Sequence, residues 1–341
     1  MKFYLLFYFL IIIILNIIFK KFNFLKSYSG SNHQKFLNKS IPLTGGIYSF
    51  VIITYLFYFI FPVIFFPFFL LLTLGLLSDL DILAQAKYRF FLQLIIITFF
   101  VFSIHLEVMP TRIDFIDNTF QGTLVSYFFT IFCLMILING SNFIDGLNGL
   151  LIGYFLIILL SLIKLNLFET LNINNETIII FISFLIFLIL LNFSNQLFLG
   201  DNGSYSISFF IGYFLIEIYN VNKNISPYFI IILLWYPCFE NLFSIIRKSI
   251  VNKNPLKPDN FHLHHYLFIV MKEKFNLKDL TSNNLSSLII NLFNFFIIYL
   301  ASLEITSTYY QLTLLLTCLS IYTLTYFVLK KKTDFILKSK V

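Results

Sequence analysis

The chain has 341 residues, of which 59% are hydrophobic and 11% charged, with a formal net charge of +7; ordinary soluble domains carry about 25% charged residues. That balance excludes a water-soluble fold for the bulk of the chain. The basic residues flank apolar runs and form no nucleic-acid-binding module, so they read as membrane topology signals and contacts to anionic lipid.

Apolar runs of about 17 to 25 residues recur along the chain, the length a helix needs to cross a hydrocarbon core of about 30 Å. They predict an all-α, polytopic membrane protein, a single integral domain over 1–341, with about eleven transmembrane helices. These lie near 3–19, 46–61, 63–78, 89–106, 120–138, 149–165, 177–194, 204–220, 227–246, 284–303 and 309–329. The first run is too long for the apolar part of a signal peptide and no small-residue cleavage site follows it, so it reads as a retained helix. Only the Phe61-Pro62 break parts the second run from the third, and it sets the parity of everything downstream. Cys133, Cys238 and Cys318 fall inside apolar runs with no evident disulfide partner.

Parity and charge then give a topology. Of the 23 Lys and Arg residues, all but Lys2, Arg112, Lys164 and Lys223 fall on one side of the predicted bundle. The positive-inside rule makes that side cytoplasmic, with the amino terminus outside and the carboxyl terminus inside. Five polar clusters share the cytoplasmic side: Pro42-Leu43-Thr44-Gly45-Gly46, Ser78-Asp79-Leu80-Asp81, the stretch 139–150, Gly200-Asp201-Asn202-Gly203-Ser204, and a cluster from Pro258 to His265 within a cytoplasmic His-containing loop, 247–283.

Asp79, Asp145 and Asp201 each end a membrane run, and a carboxylate at the rim of a low-dielectric bundle is costly without a cation. Neither the 139–150 stretch nor the Asp201 loop contains Lys or Arg, so a divalent metal of the Mg²⁺ or Mn²⁺ kind is the expected partner. The bland alternative is that Asp145 and Asp201 precede helix starts and act as N-caps. Gly146, Gly149, Gly200 and Gly203 permit close backbone approach, and amides at a helix start can receive phosphate oxygens. His262, His264 and His265, with Lys253 and Lys257 nearby, suit a diphosphate or sugar; zinc and a purely structural loop are the other readings. Glu240, inside the ninth run, is an intramembrane acid that requires a cation or hydrogen-bond donors from a neighbouring helix.

Taken in order, these motifs resemble the polyprenyl-phosphate N-acetylhexosamine-1-phosphate transferase family, glycosyltransferase family 4. Pro42, Gly45 and Gly46 are similar to its Pro-x-x-Gly-Gly turn, and Asp79 to the second acid of its Asp-Asp pair. Asn142, Asp145 and Gly146 resemble Asn-x-x-Asp-Gly, and Gly200, Asp201, Gly203 and Ser204 resemble Gly-Asp-x-Gly-Ser. The His-Leu-His-His form of 262–265 is similar to the N-acetylhexosamine branch, not the muramoyl-pentapeptide branch. The resemblance implies transfer of a sugar 1-phosphate from a UDP-N-acetylhexosamine to undecaprenyl phosphate at a bacterial cytoplasmic membrane, with UMP released. It implies Mg²⁺ held by Asp201 and Asp145, chemistry at Asp79, Asp145 and Asp201, and substrate contacts from Gly45, Gly46, Asn142, Asn148, Gly203, Ser204, His262, His264 and His265. Membrane lipids are further partners, and a homodimer is left open. Two positions depart from the family pattern: Ser78 stands where an Asp is commonest, and so does Asn148. They set a catalytically silent relative beside the transferase reading, and a lipid or solute transporter is the rival from another class.

Overall fold

The structure is a computed structural model that describes residues 2–25, 41–108, 110–120, 122–254 and 259–338. In chain order the helices are α1 (Lys2–Lys21), α2 (Gly45–Phe57), α3 (Phe65–Asp79), α4 (Ala86–Ile104), α5 (Asp114–Phe120), α6 (Leu124–Ile144) and α7 (Leu150–Lys164). They continue as α8 (Asn175–Phe193), α9 (Gly200–Val221), α10 (Pro227–Ile250), α11 (Leu263–Lys274), α12 (Asp279–Ala301) and α13 (Thr308–Lys338). No strand occurs among the described residues. Each of the eleven predicted runs lies on a helix. Among the described residues seven segments are by length and composition long and apolar enough to cross a membrane, namely 62–79, α4, α6, α8, α10, α12 and α13, while α2 and α7 are shorter apolar helices. The chain is a multi-pass, all-helical membrane protein.

One local feature bears out the sequence reading and two differ from it. The Phe61-Pro62 break is real: α2 ends at Phe57 and a 3-10 turn with Pro62 in its first position leads into α3. Proline tolerates that place because the missing N–H would have no helical partner there. Helix α6 runs to Ile144, so Asn139 and Asn142 are helical and the polar turn shrinks to Asp145-Gly149. The stretch 247–283 is largely helical, since α10 continues to Ile250 and α11 occupies Leu263–Lys274; Lys257 and Pro258 lie outside the described residues.

Helix α9 is the centre of the bundle. Its residues are buried from Gly200 through Ile216 without interruption, which a helix achieves only when neighbours cover every face. Small residues make that cover close. A Cβ added to Gly75 of α3 would stand 2.3 Å from the Asn202 Cα, and one on Gly46 of α2 would stand 2.3 Å from the Gly203 backbone N. Where lipid replaces water as solvent, such close backbone contact is a main source of helix association. Deeper along α9, Phe210 and Phe214 pack with Phe57, and Phe168 stacks on Phe214.

The bundle has two polar ends. At one, Arg112 donates to the carbonyls of Lys223, Asn224, Ile225 and Thr306 at 2.8–3.0 Å, joining the α4–α5 connection to the α9–α10 and α12–α13 connections. The opposite end holds the end of α3, the end of α6, and the starts of α2, α4, α9 and α11. The described residues of all five polar clusters meet there.

Candidate functional site

The start of α9 is fixed first. Gly200 enters the helix at φ +78°, a conformation that favours glycine, and brings the next two amides to face Asp79 at the end of α3. Asp79 Oδ1 accepts from Asp201 N at 3.0 Å, and Oδ2 accepts from Asn202 N at 3.0 Å and from Asn202 Nδ2 at 2.5 Å. The first amides of a helix have no internal partner, and the positive end of the helix dipole favours a carboxylate. The capping role that is the bland alternative for Asp145 and Asp201 belongs to Asp79 at the start of α9. Asp201 is the second residue of α9 and Asp145 follows the last residue of α6.

Asp201, 6% exposed, is the hub of the site. Its Oδ1 accepts from Asn142 Nδ2 at 2.7 Å; its Oδ2 accepts from Ser78 Oγ at 2.6 Å, Arg89 Nη1 at 2.8 Å and Tyr205 OH at 3.2 Å. Asn142 Nδ2 also donates to Ser204 Oγ at 3.0 Å, and Arg89 Nη1 donates to Ser78 Oγ. The two motif loops contain no Lys or Arg, as read from the sequence, but Asp201 has a protein cation beside it all the same, because α4 starts next to the end of α3 and delivers the Arg89 guanidinium from outside those loops. Ser78, which departs from the family pattern, bridges Arg89 and Asp201.

Asp145 is different. Its carboxylate stays partly exposed and accepts no hydrogen bond among the described residues. The surrounding protein mass first, and then the charges of Asp201 and Asp79, push its carboxyl well above the ordinary carboxylate value. Three acids thus crowd one region that holds one paired guanidinium. Among the described residues no three His, Cys, Asp or Glu groups form a ready metal cage. Mg²⁺, however, binds through one or two carboxylates with waters and substrate phosphates completing its shell. Asp145 fits that mode, being unengaged and repelled by its neighbours; Asp201 stands near it with both oxygens already accepting protein donors, and Asp79 is consumed by α9.

The histidines close the site from the other side. A Cβ on Gly146 would stand 3.1 Å from His264 Nε2 and 3.4 Å from His265 Nε2, so both rings face the residue that follows Asp145. The His264 ring is fully buried and neither of its nitrogens has a hydrogen-bond partner among the described residues. Burial, then His265 and His262, hold its pKa well below the usual histidine value, which keeps the ring neutral. His262, at the N-cap of α11, turns the other way and donates from Nδ1 to Glu240 Oε1 at 2.9 Å.

Other predicted site residues build the scaffold. Gly45 N and Gly46 N donate to the carbonyls of Phe198 and Leu199 at 3.0 and 3.2 Å, and Gly46 meets Gly203 at the α2–α9 crossing. Asn148, 3% exposed, donates from Nδ2 to Asn195 Oδ1 at 2.9 Å and Asn284 Oδ1 at 3.1 Å, while its N–H donates to Asn283 Oδ1 at 2.7 Å. This amide network joins the α6–α7 turn to the α8–α9 connection and to α12. Arg89, Asn202 and Tyr205 were missed as site residues. Arg89 reads as a topology charge in the sequence, and the Asp201–Tyr205 spacing of four carries meaning only once Asp201 is inside a helix.

A family model described as Glycosyl transferase family 4 matches residues 60–219, which include Ser78, Asp79, Arg89, Asn142, Asp145, Asp201 and Tyr205. The chain is 30% identical over 210 residues to a probable undecaprenyl-phosphate N-acetylglucosaminyl 1-phosphate transferase of Bacillus subtilis, covering 58% of this chain and 56% of that protein. It is 28% identical over 202 residues to an undecaprenyl-phosphate alpha-N-acetylglucosaminyl 1-phosphate transferase of Thermotoga maritima, covering 58% and 60%. It is 24% identical over 226 residues to a decaprenyl-phosphate N-acetylglucosaminephosphotransferase of Mycolicibacterium smegmatis, covering 58% and 54%. The chain thus spans little more than half the length of these curated relatives. The acids, amides and helix starts arranged around α9 lie inside the region that matches the glycosyl transferase family 4 model.

Proposed function

We propose that the chain transfers an N-acetylhexosamine 1-phosphate from a UDP-sugar to undecaprenyl phosphate and releases UMP, starting a lipid-linked surface glycan. The observation that carries this reading is the meeting, at one end of a membrane bundle, of the unengaged Asp145 with the neutral, unpartnered His264 across Gly146. An acid with no donor of its own and a buried ring with free nitrogens suit a ligand that brings both phosphate oxygens and a cation. The names of the relatives support the substrate classes.

The end of the bundle that holds the site also holds the described basic residues Lys20, Arg89, Arg247 and Lys248. This supports a cytoplasmic site in a bacterial inner membrane, eleven crossings, an outer amino terminus and an inner carboxyl terminus. A lipid phosphate at that rim meets a soluble nucleotide there, with its tail left among the apolar helices.

The attacking group is a phosphate monoester whose second pKa is about 6, so it is largely dianionic at neutral pH and needs no strong base. Its oxygen bonds to the phosphorus that carries the sugar, and the bridging P–O bond breaks toward UMP. His264 and His265 face that region and are suited to orient diphosphate oxygens. Asn142 holds Asp201 and Ser204 in register, and Asp79 fixes the helix start that carries Asp201. A Mg²⁺ or Mn²⁺ ion held by Asp145 and Asp201 would neutralise the diphosphate charge.

The test is release of UMP by the purified full chain in detergent, with undecaprenyl phosphate, Mg²⁺ and a panel of UDP-N-acetylhexosamines. Turnover with one donor, lost on Asp201→Asn while the fold persists, is the expected result. No release with any donor, or substrate movement across vesicles without release, overturns the reading.

A further inference from the structure

Glu240 lies in the interior of α10 and is 1% exposed. An acid so deep in a membrane bundle is retained only where its charge is met by donors. Three converge on it. His262 Nδ1 donates to Oε1 at 2.9 Å, Leu263 N donates to the same oxygen at 3.3 Å, and Tyr322 OH of α13 donates to Oε2 at 2.8 Å. Leu263 is the first residue of α11 and His262 its N-cap, so one carboxylate holds both the start of the helix and the ring that precedes it.

That anchorage reaches the site through a short rigid path. The rings of His262 and His264 stack with centroids 5.5 Å apart, and those of His264 and His265 lie 4.2 Å apart. His262 packs against Phe143 of α6 at 5.1 Å, and His264 and His265 face Gly146. The other edge of His262 is also held: Nε2 stands 3.5 Å from Asp259 Oδ1, and Asp259 is gripped by the two terminal guanidinium nitrogens of Arg247, Nη1 and Nη2, at 3.0 Å each.

We propose that Glu240 is a positioning residue of the site: from inside α10 it sets the proton position and orientation of His262 and the start of α11, and so places His264 and His265 against Gly146. The proposal rests on the transferase reading for its catalytic consequence, but its structural core is independent of it. Tyr322 is part of the device because it holds the second oxygen and fixes the carboxylate plane.

The experiment uses the full chain in detergent, with ¹⁵N-labelled histidine, as Glu240→Gln, Tyr322→Phe and wild type. In wild type the His262 ring should show a protonated Nδ1 with a carboxylate-bonded shift. Glu240→Gln should lose that signature and lower kcat by about 100-fold, as misplacement of a group near 1 Å does, with KM little changed. Tyr322→Phe, which removes a single hydroxyl, should shift the same His262 signal and keeps the test open if Glu240→Gln does not fold. A His262 spectrum unmoved in every folded variant overturns the proposal. So does an unchanged kcat in Glu240→Gln when wild type is active. If wild type releases no UMP, the transferase reading fails, and the His262 spectra still decide the pairing.

Discussion

Asp79 accepts the backbone N–H groups of both Asp201 and Asn202 at 3.0 Å, so the last residue of α3 is hydrogen-bonded to the first turn of α9. An asparagine there keeps one acceptor and turns an NH₂ toward donors. Asp79→Asn should therefore lower stability by about 1–2 kcal/mol, the range of a lost helix cap, seen as a lower unfolding midpoint of the full chain in detergent. UMP release should fall with it, because Asp201 rides on that turn. Lost turnover at an unchanged midpoint would instead give Asp79 a direct part in the chemistry.

Arg89 is the charge that most alters how the acids behave. Its Nη1 lies 2.8 Å from Asp201 Oδ2, with side chains 17% and 9% exposed. Removing one partner of so enclosed a pair strands the other, and the residual exposure moderates the cost. Arg89→Gln should cost about 1–3 kcal/mol on those grounds. It also removes a fixed positive charge from the place proposed for a divalent cation. Stabilisation by added Mg²⁺, followed as the unfolding midpoint, should then saturate at lower concentration in Arg89→Gln than in wild type. An identical Mg²⁺ dependence would separate Arg89 from the cation site.

These two residues mark what a sequence conveys and what it leaves out. Hydrophobic run length placed a helix under every predicted run, and seven described segments have the length and hydropathy that crossing a membrane imposes on a helix independently of its neighbours. The motif acids were legible for a similar reason: a carboxylate or a histidine is conspicuous against Phe, Ile and Leu. Partnership was not legible. Arg89 meets Asp201 only through the packing of α3, α4 and α9, 112 residues apart in the chain. Gly46 and Gly203 read as substrate contacts, but a missing Cβ serves close helix packing equally well, and three-dimensional contact puts the two against each other.

Asn148 separates motif from environment. Its Nδ2 donates to Asn195 and Asn284 at 2.9 and 3.1 Å in a buried setting. Aspartate, the commoner residue of the resembled pattern, would turn an acceptor toward both oxygens. Asn195 can rotate its amide to donate, but Asn284 is held because its own Nδ2 donates to the Phe193 carbonyl at 3.0 Å. Asn148→Asp should then cost about 1–3 kcal/mol, the penalty of one unsatisfied buried polar group, with no gain in UMP release. A more active and equally stable Asn148→Asp would show that this chain had lost a functional acid.

Asp145 yields a prediction with a definite sign. Burial and the charges of Asp201 and Asp79 raise its folded pKa well above the ordinary value of 3.8. A carboxyl whose folded pKa exceeds its unfolded one binds its proton more tightly in the native state. Its contribution is then favourable below the unfolded pKa and is lost as pH rises through the folded one. At neutral pH without divalent cation the Asp145 charge therefore works against the fold. Asp145→Asn should unfold at a higher temperature than wild type at pH 7 in chelator, and the difference should fade toward about pH 4, where the unfolded carboxyl protonates. Mg²⁺ should raise the wild-type midpoint toward that of Asp145→Asn while leaving the variant little changed, and UMP release should be lost in the variant. An Asp145→Asn chain less stable than wild type in chelator at pH 7 would mean that the ionised carboxylate is held by favourable partners. The case for a cation at this position would then fall with it.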